Sequence, residues 1–126
     1  MIISNNYAKK NKIMASATLK GVSISPRKLR LVADLIRYEE LKNALNILSN
    51  SKKKGAIIFK KLIISSLSNW TKKSGIDYDS KNEFIYIKEI RVDQGKVLKR
   101  IQPAPQGRGH RIKKKSSHIM ICIQNK

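Results

Sequence analysis

The spacing of apolar positions changes twice along this chain, and each change predicts a different kind of element. Residues 14–22 alternate moderately between apolar and polar side chains, which predicts a first strand. From Pro26 the period lengthens. Leu29, Val32 and Ile36, broadened by Leu31 and Leu35, form one helical stripe, leaving Arg27, Lys28, Arg30 and Arg37 for solvent or a ligand. Ser25 and Pro26 predict its start, with serine capping free amides and proline in the first turn. A second helix is expected from about Glu39, whose charge suits the positive end, with Leu41, Ala44, Leu45 and Leu48 as its stripe. Ala56, Phe59, Ile63, Leu67 and Trp70 predict a third, longest helix, with Trp70 in the core. From Glu83 the period falls to two. Phe84, Tyr86, Ile90 and Val92 then share one face, while Ile85 and Ile87 give way to Glu89, Arg91 and Asp93 on the other. That reading makes a strand that passes from a sandwiched position to an exposed one. Further extended runs cover residues 96–102 and about 111–124, where Ser117, Ile119, Ile121 and Ile123 alternate with His118, Met120, Cys122 and Gln124. Helices first and strands last give an α+β chain.

Periodicity leaves the hairpin turn open. Asp93, Gln94 and Gly95 are one candidate, and residues 103–109, with Pro103, Pro105, Gly107 and Gly109, are the other. In the second case each arm reaches about 50 Å, more than the width of so small a domain, so its tip must project. A projecting two-stranded ribbon with no core behind it is marginal in water and needs another environment.

Charge says what that environment is. The 126 residues carry 28 Lys and Arg against 8 Asp and Glu, a formal net charge of +20. Every acidic residue lies between Asp34 and Asp93, and none follows Gln94. A cationic segment that cannot be neutralised by its sequence neighbours draws its counter-charge from elsewhere, and phosphate backbone is the commonest supplier. No apolar run approaches the roughly 18 residues of a membrane span. Lys52, Lys53 and Lys54 crowd the positive start of the third helix, a conflict that bound phosphate relieves. A helical DNA-binding module using that basic start is the competing reading, though the helix beyond Lys61 offers little groove-facing polar surface. An enzyme is the third. Asp77 and Asp79 have no third ligand or histidine nearby, the Gly-x-Gly pair lacks the rest of a nucleotide loop, and lone Cys122 reads as a buried thiol. No cofactor or metal is expected. The start of the chain reads as a flexible extension over residues 1–13 without a signal-peptide core, followed by one domain over 14–126. Abundant lysine, isoleucine and asparagine read as base-composition bias of a reduced bacterial or organellar genome.

Four segments, in order, resemble the bacterial-type ribosomal protein L22 (uL22) family. These are SPRKLRLVADLIR from Ser25, KEIRVDQG from Lys88 with LKRI from Leu98, PAPQGRGHRI from Pro103, and KKKSSHI from Lys113. The resemblance covers about residues 15–123. It implies three helices on a small antiparallel sheet and a long projecting β-hairpin over about residues 86–122, with its tip at 103–109. It implies a non-enzymatic component of the large ribosomal subunit, in the cytoplasm of a bacterium or in an organelle, not a homo-oligomer and not at a membrane. Its expected partners are 23S-type rRNA, an L4-like protein at the exit tunnel, and the nascent peptide. Expected RNA contacts are Arg27, Lys28, Arg30, Lys96, Lys99, Arg100, Gly107, Arg108, Gly109, His110, Arg111, Lys113, Lys114, Lys115 and His118. Expected tunnel-lining residues are Leu98, Lys99, Arg100, Pro103, Ala104 and Pro105. Three positions depart from the family: Ala104 stands where arginine is common, Pro105 where a small residue is common, and Tyr38 follows Arg37 where glycine is frequent.

Overall fold

The most apolar strand lies in the middle of the sheet. In the computed structural model, which describes residues 12–75, 84–103 and 105–125, this is β5 (Ser117–Asn125). It is flanked antiparallel by β1 (Met14–Val22) and β2 (Ile85–Gln94), giving the order β1-β5-β2. Ile119, Ile121 and Ile123 are wholly buried on one face of β5. Three helices pack against that sheet: α1 (Pro26–Ile36), α2 (Leu41–Asn50) and α3 (Lys54–Ser74). Leu29, Ile36, Leu41, Phe59 and Ile63 fill the space between, and Trp70 closes the cluster at 1% exposure. Trp70 is thus core, as its place in the helical stripe predicts, although its indole Nε1 has no hydrogen-bond partner. Three helices on an antiparallel sheet make the α+β fold expected.

The helix starts differ in detail from expectation. Ser25 is extended and precedes α1, but its side chain makes no capping hydrogen bond. Pro26 supplies the start instead, because its fixed φ suits the first turn and its missing amide leaves nothing unsatisfied there. Before α2, the backbone of Glu39 and Glu40 is used for strand pairing. The Ile87 amide donates to the Glu39 carbonyl at 3.0 Å, and Glu40 bridges to Tyr86. The turn ahead of this segment holds Tyr38 at φ 63°, a left-handed conformation in which glycine is at ease and tyrosine is not. Gly75 ends α3 with φ 68° and donates its amide to the Thr71 carbonyl at 2.9 Å.

Alternation through β2 is interrupted, and the expected division of its faces is corrected here. Ile87 pairs with Ile123 but Glu89 pairs with Cys122, so Lys88 is one residue too many for the ladder. This bulge reverses the parity. Ile85, Ile87, Ile90 and Val92 all reach the buried face, while Phe84 is exposed and Tyr86 is half-buried. Strict parity had joined Phe84 and Tyr86 to Ile90 and Val92, which one extra residue forbids.

A second irregularity divides the outgoing and returning strands into two ribbons. Gln94 pairs with Ser117, and the next pair is Leu98 with Lys114. Beyond it β3 (Leu98–Pro103) runs antiparallel to β4 (Gly109–Lys114). Gly95 is therefore an internal junction and not the turn. Its amide donates to the Ser116 carbonyl at 2.8 Å, and the Ser116 hydroxyl donates to the Lys96 carbonyl at 2.6 Å. A Cβ at Gly95 would lie 2.6 Å from Ser116 Oγ and 3.2 Å from its carbonyl carbon, so the strands close only around glycine. The chain reverses after Pro103, through Pro105, Gln106 and Gly107, with Gln106 at φ 68° and Gly107 at φ 71°.

Residues 1–11, Ala104, Asp77 and Asp79 lie outside the described residues, and so do the readings placed on them. Ile13, assigned to a flexible extension, is instead tied to β5. Its amide donates to Asn125 Oδ1 at 2.7 Å, so ordered pairing begins before Met14.

Candidate nucleic-acid interface

The β3–β4 ribbon has no core behind it. Each of its residues is exposed except Ile112, which is intermediate. Directly paired residues share a face and successive pairs alternate. One face therefore carries Lys99 opposite Lys113 and Ile101 opposite Arg111. The other carries Leu98 opposite Lys114, Arg100 opposite Ile112 and Gln102 opposite His110. Each face thus mixes cations with aliphatic side chains. Among the described residues the ion pairs are Arg37 with Asp34 and Arg91 with Glu89, and neither touches this arm. Lys99 directly opposite Lys113 is a repelling pair on a ribbon with nothing to hold it, and an external anion removes that conflict.

The turn is built for a close approach. Arg108, His110 and Arg111 are exposed around it, and Gly107 supplies its positive φ. A Cβ at Gly109 would stand 2.7 Å from Ile101 Cγ2, so glycine lets the side chain of Ile101 lie across the returning strand. Ile101, 78% exposed, is the most exposed of the large hydrophobic side chains among the described residues and was not singled out from the sequence. There it reads as one more apolar strand residue; only the arm's lack of a core reveals it as surface.

A second cationic region forms at the root of the arm. Arg27 and Arg30 of α1 meet Lys115, Gln94, Ser25 and Pro26 around a groove of about 230 Å³. Sequence reasoning placed Arg27 and Arg30 in one patch and Lys115 in another; the fold brings the three together. Arg30 is also a strut, donating from Nη2 to the Val92 carbonyl at 3.1 Å and so fixing α1 to β2. Lys28, nearby in sequence, faces a different cavity with Lys53 and Lys54. Lys96, Lys99, Arg100 and Lys114 are exposed, and Arg100 Nη1 donates to the neighbouring Lys99 carbonyl at 3.0 Å. His118 is half-buried, and its Nδ1 accepts the Gly21 amide at 3.2 Å across the β1–β5 junction. That bond gives it a structural partner, leaving Nε2 as the nitrogen that could meet a ligand.

Other chemistry finds little support in this geometry. Among the described residues no group of His, Cys, Asp or Glu is arranged to hold a metal ion, and no helix is long and apolar enough to cross a membrane. Cys122 is buried in β5, and burial pushes its thiol above the ordinary range. The Glu89 carboxylate adds to this, while Lys88 and Lys73 oppose it. The neutral thiol is therefore favoured.

An α+β body carrying an exposed ribbon with cations on both faces defines a strongly basic protein whose candidate site is a charged surface. Comparison with known proteins gives the family. Residues 17–124 match the model of ribosomal protein L22p/L17e, and the chain belongs to that family. It is 46% identical over 113 residues to large ribosomal subunit protein uL22 of Flavobacterium johnsoniae, covering 90% of this chain and 82% of the relative. The same protein of Bacteroides fragilis is 43% identical over 115 residues, 91% of this chain and 83% of the relative. That of Karelsulcia muelleri is 42% identical over an alignment of 128 positions, 98% and 93% of the two chains. The family consists of structural ribosomal proteins and not of enzymes.

Proposed function

We propose that this chain is a large-subunit ribosomal protein that binds large-subunit rRNA, supports its assembly and lines the exit tunnel for nascent polypeptide with its hairpin. The observation that carries the RNA-binding reading is the β3–β4 ribbon, exposed on both faces and cationic on both, with no carboxylate paired to it among the described residues. A ribbon of this kind gains its environment when RNA packs on both sides, with Lys99, Arg100, Arg108, Arg111, Lys113 and Lys114 on phosphates and sugars. Lys115, Arg27 and Arg30 then hold RNA at the root. Lys28, Lys96, Gly107, Gly109, His110 and His118 are further contact positions in the same reading. Leu98, Lys99, Arg100, Pro103 and Pro105, with Ala104, make the tunnel-facing surface, near an L4-like protein and the nascent peptide. The relatives' shared name as a large-subunit protein supports this assignment, and their bacterial sources support a bacterial ribosome in the cytoplasm.

The test is cross-linking within assembled particles. A photoreactive residue at Lys99 should reach rRNA, and one at Pro105 should reach the stalled nascent chain, in subunits purified through a high-salt gradient. Release of the protein from the large subunit at high salt, or its migration with chromosomal DNA, would contradict the assignment.

A further inference from the structure

An apolar concavity beside the cationic root is not part of the arm. It has a volume of about 380 Å³ and lies between the start of α1 and the start of α3. Its floor is aliphatic: Ile24, Leu31 and Val32. Its rim is cationic, with Lys28 from α1 and Lys53 and Lys54 from the start of α3, and no acidic residue lines it. The two helices are held close there. A Cβ on Gly55 would come 2.9 Å from Leu29 Cδ2, so α3 begins in direct contact with α1 and the cavity walls are fixed. Leu31 is 54% exposed, a large apolar side chain left facing solvent inside a ring of lysines.

We infer that this cavity receives one unpaired rRNA nucleotide turned out of its stack, its base on Leu31, Ile24 and Val32 and its flanking phosphates on Lys28, Lys53 and Lys54. The inference rests on the rRNA-binding reading and adds a site to it. An apolar slot takes the face of a base, and lysines at its edge take the charge on either side. The position of the slot favours RNA over an acidic peptide. Ile24, Lys28 and Leu31 line the cavity, while Ser25, Arg27 and Arg30 line the root groove, so the first two turns of α1 form the wall between them. One single strand crossing that wall places phosphates on both rims with a base between. A peptide would need an apolar anchor together with acidic groups spaced over both. Lys53 and Lys54 also crowd the positive end of α3, and phosphate removes that repulsion.

The experiment uses the full chain and full-length transcribed large-subunit rRNA. A photoreactive side chain in place of Leu31 should cross-link to a single unpaired nucleotide. Leu31→Ser should lower affinity roughly tenfold while leaving the salt slope unchanged, since a base contact is lost and no counterion release. Replacing Lys53 and Lys54 together by glutamine should reduce the slope by about 1.4, two single-strand phosphate contacts. Removing the base of the cross-linked nucleotide should weaken wild-type binding but have no further effect on Leu31→Ser. Leu31→Ser should melt close to the wild type, because Leu31 is more than half exposed. The Lys53 and Lys54 double variant should melt no lower than the wild type, because it removes two cations from the positive end of α3. Unchanged binding by Leu31→Ser, in RNA that the wild type still binds, overturns the inference and leaves the arm's role standing. Cross-linking in assembled subunits to a protein also overturns it, in favour of an acidic partner. Failure of the wild type itself to bind rRNA removes the underlying reading first.

Discussion

Reversing the charge of Lys113 should strengthen the free arm and weaken its hold on RNA. Lys113 stands directly opposite Lys99 in the β3–β4 register, both exposed, with no carboxylate of the described residues in ion-pair distance. Cross-strand pairs of this kind are worth about 0.2–1 kcal/mol, toward the lower half for exposed charges screened by solvent. Exchanging repulsion for attraction in Lys113→Glu therefore stabilises the ribbon by about 0.5–1 kcal/mol. Since the ribbon opens without the body, the gain belongs in local opening and not in the melting temperature. Amide exchange over residues 98–114 should slow by about two- to fivefold, the factor which that free energy converts to. Against rRNA the sign reverses. One lost phosphate contact should lower the slope of log affinity against log salt by about 0.7 on single strands or 0.9 on duplex. Lys113→Gln separates the effects: it shares the slope change and shows about half the gain in protection. Faster exchange in Lys113→Glu would refute the register placing it against Lys99, and an unaltered slope would refute its phosphate contact.

Three further outcomes follow from the body of the fold. Tyr38→Gly should raise the melting temperature by about 2–4 °C in thermal unfolding, because it relieves a left-handed tyrosine that costs about 1–2 kcal/mol, less the greater backbone entropy of glycine. A lower melting temperature would mean that the exposed ring contributes more than its backbone costs. Gly95→Ala should cost about 1 kcal/mol or more in urea unfolding by displacing the Ser116 hydroxyl from the Lys96 carbonyl, and less when Ser116→Ala is already present; additive losses would rule out that collision. Because the Cys122 thiol is raised by burial, it favours folding fully below the ordinary thiol range, and that contribution declines as pH rises through the raised value of the folded state. The stability difference between wild type and Cys122→Ala should therefore narrow in the alkaline range, and a difference that is flat with pH would contradict this.

The helices were legible because each carries its own stripe: Leu29, Val32 and Ile36 on α1, and Ala56, Phe59, Ile63 and Trp70 on α3, are buried as spacing predicts, but Leu31 and Leu35, expected to broaden the α1 stripe, lie outside the sheet-facing side and are exposed. The strand faces of β2 were not legible, because period-two reasoning assumes an unbroken ladder. Lys88 breaks it, and nothing local marks a lysine as a bulge. The same holds for the junction at Gly95. By periodicity a glycine after Asp93 and Gln94 reads equally as turn or bend; the family resemblance favoured the bend, and the pairing across to Ser116 agrees. Charge marked the arm as a candidate interface, since no carboxylate follows Asp93 in the sequence. It could not show that Lys115 stands with Arg27 and Arg30, because that groove joins residues far apart in sequence. Nor could it show that Ile101 is surface or that His118 already has a partner in Gly21. Spacing along one element is readable in sequence; the meeting of two elements is not.

The most direct test is a density map of large subunits containing this chain. Such a map should show rRNA packed on both faces of the β3–β4 ribbon, the turn around Pro105 at the tunnel wall, and phosphates near Arg27, Arg30 and Lys115. A ribbon lying free in solvent, with rRNA touching only the helices, would contradict the proposed role.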